Sequence, residues 1–185
     1  YSTLAKNVLP ELRRARFIAN VEYTNYTNEE LLQLIEENID VLDETALLRA
    51  ATLVKDNDQK VEIYKKAAKK FDSAVAQYNL AVTYINMDKL GKAKNALENC
   101  PKDADWYNAM GVIALREDNI DAAAEYFALS GNETSVKNAA IIDILDGEYE
   151  AAAAKLAGDT DGNAVLAQIL VGNYAAAEKL SCKCP

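Results

Sequence analysis

Short runs of alanine recur in the second half of the chain, each after a polar turn and before one larger apolar residue. They are "NIDAAAEYFALSG" from Asn119, "GEYEAAAAKLAG" from Gly147 and "GNYAAAEKL" from Gly172. Apolar positions in and ahead of these stretches recur every three or four residues, the period of an amphipathic helix. Polar turns such as "NMDK", "REDN" and "LDGE" separate one helical stretch from the next. The pattern predicts successive helix pairs, with each alanine run in the second helix.

Small residues recur at one position in each helix of a predicted pair. The series is Ala81, Gly111, Ala140 and Val165 in the first helices and Ala93, Ala123, Ala152 and Ala177 in the second. In the second helices, a larger residue follows the small one by four positions, as at Leu97, Phe127 and Leu156. Small side chains let two helix axes approach closely, and the larger residue fills the space toward the next pair. The segment upstream fits more loosely, with Ala51 at the first small position and Tyr64 at the second.

A helix pair of this kind cannot bury its apolar face alone, so the units must stack into an all-α solenoid. We expect a helical repeat domain over residues 28–185 and a strand or linker segment over residues 1–27. The predicted pairs lie near residues 28–71, 74–100, 105–130, 135–157 and 161–181. An N-cap at Thr27 or Asn28, followed by two acids, predicts where the first helix begins.

The stretch "RARFIANVEY" departs from the helical pattern. Its residues alternate with period two, placing Phe17, Val21 and Tyr23 on one face. This predicts a short strand, and a lone strand needs a partner. We expect that partner in chain upstream of Tyr1, in another molecule or along the edge of the solenoid. We also expect at least one more helix after Pro185, because the last predicted helix lacks a polar cap.

Two of the predicted pairs resemble the tetratricopeptide repeat (TPR) family. "QYNLAVTY" (Gln77–Tyr84) and "WYNAMGVIA" (Trp106–Ala114) supply that family's apolar, small and aromatic positions, and the resemblance extends over about residues 46–181. Asp143 stands where the family has Tyr, and Val165 where it has Gly or Ala. The resemblance implies a right-handed α-solenoid of TPR-like helix pairs, preceded here by the short strand-like segment.

The resemblance also implies a ligand groove lined by the first helix of each pair. Carried over by position, it nominates Tyr78, Val82, Asn108, Val112, Arg116, Lys137 and Ile141 as a candidate peptide-binding groove. The Lys-Asn-Asn-Lys-Arg set with which some members hold a C-terminal carboxylate is absent. An ordinary helix surface or a contact between repeats is the alternative interpretation of each nominated residue.

The run "VLPELRRARFIANVEY" resembles, weakly, the junction ahead of helical repeats in bacterial envelope proteins with an outer-membrane, peptidoglycan-binding (OmpA-type) domain. That resemblance implies a location in the cell envelope or periplasm and an envelope domain upstream. A cytoplasmic location is the alternative.

Charge and composition narrow the candidate chemistry. The net charge of −9 argues against a nucleic-acid partner, and "KKAAKK" (Lys65–Lys70) is interpreted as a solvated helix face. Histidine is absent, which removes the usual general base and most zinc sites. No uncharged stretch has the roughly 18 to 20 apolar residues that a membrane span needs.

The remaining candidates for metal or catalytic chemistry are weak. "DTDGN" from Asp159 starts like a calcium loop but has no Glu at its twelfth position, so a turn is predicted. Cys100 is predicted to be a small buried hydrophobe, and Cys182 and Cys184 lie at a frayed or truncated end. Adjacent acids such as Glu29 and Glu30 point in different directions on a helix.

The favoured hypothesis is therefore a non-catalytic protein-interaction scaffold that binds a protein or peptide and uses no cofactor or metal. A structural module of a larger bacterial cell-envelope protein is the alternative, and a hydrolase is the least favoured hypothesis. No catalytic residue is nominated.

Overall fold

The computed structural model describes residues 25–181, and these residues form helices joined by short turns. The helices are α1 (Asn28–Glu37), α2 (Glu44–Leu53), α3 (Asn57–Phe71), α4 (Ala74–Asn86), α5 (Leu90–Leu97), α6 (Ala104–Arg116), α7 (Ile120–Ser130), α8 (Glu133–Asp146), α9 (Tyr149–Lys155), α10 (Gly162–Leu170) and α11 (Tyr174–Ser181). A 3-10 turn at Ile39–Val41 connects α1 to α2. The all-α solenoid of helix pairs is confirmed. The predicted strand near Phe17, and Cys182 and Cys184, lie outside the described residues.

Polar side chains start most of the helices. An N-cap oxygen accepts the backbone N–H three residues later, which satisfies a donor that has no partner inside the helix. The residues that do this are Thr27, Asp43, Asp56, Ser73, Asp103, Asn119, Asn132, Asp161 and Asn173. At Thr27 the carboxylate of Glu30 also accepts the N–H of the cap residue, completing a capping box. These local hydrogen bonds determine where most of the helices begin.

The small residues of the repeat lie where helices cross. Ala81, Ala93, Ala123, Ala140 and Ala152 have no exposed surface. Their complete burial is consistent with the predicted helix crossings.

Gly111 marks the tightest crossing. A Cβ atom built on it would lie 2.5 Å from two carbons of the Phe127 ring, so the ring occupies the place of the missing side chain. Phe127 is 2% exposed, and Leu97 and Leu156 are buried at the equivalent positions in their pairs.

The last pair departs from this arrangement. Val165 is half-buried, whereas Ala164 and Ala167 on either side of it are buried. Ala164 and Ala167 belong to the buried cluster that contains Ala140 and Ala152, and Val165 is not part of it.

Three helices, rather than one pair, occupy residues 28–71. Lysines of α3 hold them together: the Lys70 ammonium donates to the carbonyls of Asp40 and Leu42, and Lys66 forms an ion pair with Asp40 at 2.6 Å. Part of the "KKAAKK" run therefore fastens α3 to the turn that follows α1. The division of the chain into domains stays a prediction.

The first helices of three neighbouring pairs contact one another along the solenoid. Helix α4 contacts α6, and α6 contacts α8, while the second helices α5, α7 and α9 do not pack together to the same extent. These three first helices therefore lie on the inner side of the curve, and α10 continues the series in the register of the repeat. None of the helices between residues 25 and 181 combines the length and apolar character that a membrane crossing requires.

Candidate ligand-binding face

Three positions on each first helix point toward the inner face. Counted from the recurring small residue, they lie three residues before it, one after it and five after it, about one helical turn apart. The four rows are Tyr78, Val82 and Asn86 on α4; Asn108, Val112 and Arg116 on α6; Lys137, Ile141 and Leu145 on α8; and Gly162, Leu166 and Leu170 on α10. The seven nominated residues all belong to this array.

An apolar column runs through the middle position of all four helices. Val82, Val112 and Ile141 are half-buried, and Leu166 is 42% exposed. On α8 the last position is also apolar, because Leu145 is 62% exposed. The inner face thus becomes more apolar toward α10.

Leu145 and Leu166 are not among the seven residues nominated from the sequence. The signal was present, since Leu166 follows Val165 as Val112 follows Gly111, and Leu145 follows Ala140 by five residues as Arg116 follows Gly111. Leu166 extends the middle column from α8 to α10, and Leu145 adds an exposed apolar side chain at the last position of α8.

Arg116 is tied to the turn of the preceding pair. Its Nη1 donates to the carbonyl of Ile85 at 2.9 Å and lies 3.6 Å from a carboxylate oxygen of Asp88. The side chain is 43% exposed, so the remaining N–H groups of the guanidinium face solvent. Arg116 therefore joins α6 to the α4–α5 turn and keeps donors on the surface.

Lys137 lies between two carboxylates. Its ammonium is 2.8 Å from Asp159 and 2.9 Å from Glu133. The hydrogen bond to Asp159, then the one to Glu133, raises the pKa of Lys137 above its ordinary value. The charge of this lysine is neutralised within the chain.

Asn108 connects two first helices. The side-chain amide of Asn138 on α8 donates to the amide oxygen of Asn108 on α6 at 2.9 Å, and both side chains are half-buried. The Asn108 amide nitrogen takes no part in this hydrogen bond. Asn138 was not identified from the sequence.

Tyr78 borders a small cavity of 180 Å³ between the starts of α4 and α6. Cys100, Pro101, Asp103 and Asp105 line the same cavity. Burial, followed by the nearby charges of Asp105 and Asp103, raises the pKa of the Tyr78 hydroxyl. Burial and the charge of Asp103 raise the pKa of the Cys100 thiol, which disfavours the reactive thiolate.

The acids of "DTDGN" have structural partners. Asp159 pairs with Lys137, and Asp161 caps α10 by accepting the N–H of Ala164 at 2.9 Å. Across residues 25–181, no three His, Cys, Asp or Glu side chains cluster closely enough to hold a metal ion. The segment forms the turn and the helix start that its composition predicts.

The described geometry offers apolar contact with a few polar groups at its edges. The cations of Arg116 and Lys137 and the amide of Asn108 are wholly or partly engaged within the chain. Leu145 and Leu166 are exposed, and the other residues of the middle column are half-buried. The assignment of the seven nominated residues to a peptide-binding groove stays a prediction.

The chain matches no known protein-family profile and no curated protein. Its fold resembles that of a solved structure, the crystal structure of YrrB, described as a TPR protein with an unusual peptide-binding site. The two structures agree with a TM-score of 0.52 over 83% of this chain and 90% of the other, at 17% sequence identity. At that identity the likeness shows the fold alone: a helical repeat of the TPR type.

Proposed function

We propose that this chain is a non-catalytic interaction scaffold that binds a segment of another protein along the inner face formed by α4, α6, α8 and α10. The observation that carries the proposal is the apolar column of Val82, Val112, Ile141 and Leu166, extended by Leu145. Half-buried apolar side chains at one register position per repeat, together with the exposed Leu166 and Leu145, leave apolar surface that a partner can cover. The peptide-binding site named in the description of YrrB supports the same idea by analogy of fold.

The partner segment fits this face through apolar side chains spaced along the repeats. In this proposal, the free N–H groups of Arg116 and the amide nitrogen of Asn108 donate hydrogen bonds to its backbone carbonyls. Because Lys137 is neutralised by Glu133 and Asp159, it contributes less to recognition than its charge alone indicates.

The test is the double variant Leu145→Glu/Leu166→Glu. Both side chains are exposed, so the fold should survive, whereas an apolar partner should lose at least tenfold in affinity, about 1.4 kcal/mol. Partners are identified by crosslinking to the wild-type protein and binding is then measured with the purified partner. Leu32→Glu on α1 is the matched control, because Leu32 is also 42% exposed but lies away from this face. Equal binding by the double variant and by wild type would refute the inner-face site.

Charge reversal at Arg116 and Lys137 tests the polar part of the site separately. We expect a smaller loss than for the leucine pair, since both cations already have partners within the chain. If the charge reversal weakens binding more than the leucine substitutions do, the partner is held by charge rather than by apolar contact.

A second role, as a structural module of a bacterial envelope protein, is proposed on the resemblance of residues 8–23 alone. Those residues lie outside the described part of the chain. Fractionation of the native organism with an antibody against the repeats tests it: the chain should be recovered with the envelope, and recovery with the cytoplasm alone would refute the envelope role.

A further inference from the structure

A second surface feature lies on the opposite side of α8. A groove of 340 Å³ runs between α7, α8 and α9, floored by Phe127 and Ile142 and walled by Ala124, Ala128, Val136 and Ala139. At 100° per residue, Ala139 projects about 160° away from Ile141, so this groove and the inner face are back to back. An ion pair between Asp143 and Lys155, at 2.8 Å, closes one end.

The preceding repeat shows what this space normally contains. At the equivalent junction of α5, α6 and α7, the chain places aromatic rings: the centroid of Trp106 is 5.2 Å from that of Tyr107 and 6.2 Å from that of Tyr126. The cavity left there, beside Met110, is only 140 Å³.

Smaller residues replace these side chains one repeat later. In the register of the repeat, Tyr107 becomes Val136, Met110 becomes Ala139, Tyr126 becomes Lys155 and Lys94 becomes Ala124. The groove is therefore open because the chain lacks the rings with which it fills the same junction upstream. A partner that supplies an aromatic or other large apolar side chain would restore that packing.

Exposed carboxylates at one end of the groove indicate the charge that a partner should carry. Helices α7 and α8 are antiparallel neighbours, so Asp121 near the start of α7 and Asp146 at the end of α8 lie at the same end of the groove, where Asp143 is. Asp121 and Asp146 are exposed and form no ion pair with any residue from 25 to 181.

Acidic residues outnumber basic ones throughout the second half of the described chain. Residues 103–181 contain 14 Asp and Glu but only four Lys and Arg. Three of those four cations, Arg116, Lys137 and Lys155, are already paired within the chain. An acidic rim beside an apolar groove favours a cationic partner.

We propose that the α7–α8–α9 groove docks a basic segment of a partner protein, which inserts one aromatic or large apolar side chain between Val136 and Ala139 and places an adjacent Lys or Arg against Asp121 and Asp146. This surface is separate from the inner face, so the two can be occupied at once, and neither proposal depends on the other.

Two fluorescein-labelled 11-residue peptides test the proposal. Both carry a central Trp in a Gly-Ser background, flanked on each side by two Lys in one peptide and by two Glu in the other. Fluorescence anisotropy measures affinity, and amide shifts in ¹⁵N-labelled wild-type protein locate the site. We expect the Lys peptide to bind, with affinity falling as salt rises, and to shift the amides of Gly131, Val136 and Ala139.

Two double variants then separate shape from charge. V136Y/A139M puts back the side chains of the upstream junction and should reduce affinity for the Lys peptide at least tenfold. D121K/D146K changes only exposed carboxylates, leaves the core untouched and should reduce it by a similar factor while allowing the Glu peptide to bind. E29K/E36K reverses two exposed acids on α1 and should change affinity less than twofold.

Several outcomes would overturn the docking proposal. These are unchanged affinity in D121K/D146K, equal binding of the two peptides to wild type, and amide shifts confined to Ile141, Leu145 and Leu166. Self-association of the free protein through Val136 and Ala139 would assign the groove to a second copy of this chain instead. Loss of peptide binding in L145E/L166E but not in V136Y/A139M would move the site to the inner face.

Discussion

Gly111 shows how one residue controls the packing of a whole repeat. Its missing side chain makes room for the Phe127 ring, which a Cβ atom would meet at 2.5 Å. No flexible chain end can move aside here, because the ring belongs to a side chain that is 2% exposed. The contact joins α6 to α7, so strain at this point is transmitted to both helices of the pair.

Gly111→Ala should therefore lower the free energy of unfolding by about 1 to 3 kcal/mol, the usual range for overpacking a core. Urea unfolding followed by circular dichroism measures it. Gly91→Ala is the matched control: Gly91 is also helical, a Cβ there meets nothing within 4 Å, and alanine should be neutral or stabilise by up to about 1 kcal/mol. Equal effects at the two sites would contradict the crossing role of Gly111.

The raised pKa values of Cys100 and Tyr78 predict that the folded state loses stability at alkaline pH. Burial raises the pKa of both groups, so the folded chain keeps protons at a pH where the unfolded chain has released them. Since the unfolded state then binds fewer protons, stability falls as pH rises. The thiol has an ordinary pKa of 9.0, and the decline should begin near that pH.

We expect the free energy of unfolding to be nearly constant from about pH 7 to 8 and to fall above about pH 9. Cys100→Ser removes the titrating thiol and should make the fall shallower between about pH 8.5 and 10. Urea titrations at each pH, under reducing conditions, check this. Parallel curves for the variant and wild type would show that the thiol makes no contribution.

The turn between the two helices of a pair has the same backbone conformation in successive pairs. Asp88, Asp118, Gly147 and Gly172 occupy the same position in four successive pairs, and all have positive φ, between 56° and 81°. Glycine adopts this conformation without steric cost, whereas an aspartate is strained by its Cβ. The first two turns therefore carry strain that the last two avoid.

Asp118→Gly should raise the free energy of unfolding by about 0.5 to 1 kcal/mol, since the relief of strain exceeds the entropy that glycine adds to the unfolded chain. Asp118 has no ion pair within residues 25–181, so little else is lost. Gly147→Asp is the reverse experiment and should destabilise by a similar amount. Thermal unfolding of both variants tests the pair, and a destabilised Asp118→Gly protein would show that local hydrogen bonding outweighs strain.

Element boundaries were largely predictable from the sequence because their causes are local. The polar turns, the N-caps and the alanine runs act within four residues of where they stand. The predicted single pair over residues 28–71 is the main difference, since the structure forms α1, α2 and α3 there. Lys66 and Lys70 organise this region by contacts across about 30 residues, which local pattern does not reveal.

At the scale of the molecule, the core changes in composition along the solenoid. Large side chains, including Leu31, Leu47 and Ile113, fill the cluster that extends from α1 to α6. The cluster around α8 to α10 consists of four alanines and Leu156. Burying less apolar area per helix gives less stabilisation, at about 25 cal/mol per Å².

We therefore expect stability to decrease toward α11. Because a repeat array is held together by contacts between neighbours, its end can open without the rest. Hydrogen exchange read by mass spectrometry should show the slowest amides in α3 to α6 and the fastest helical amides in α10 and α11. Uniform protection along all helices would indicate a single cooperative unit and contradict the gradient.

The helix pairs, their register and the recurring small residues follow from the sequence, because a period of 3.6 and a fixed spacing of small residues are local properties of the chain. The sequence also identified the middle column of the inner face as far as Ile141. Which polar groups have partners within the chain depends on packing between repeats: Arg116 donates to Ile85, Lys137 pairs with Asp159, and Asn108 accepts from Asn138. Only the structure showed the open groove beside Val136, since a cavity depends on how three helices come together and on which side chains fail to fill the space.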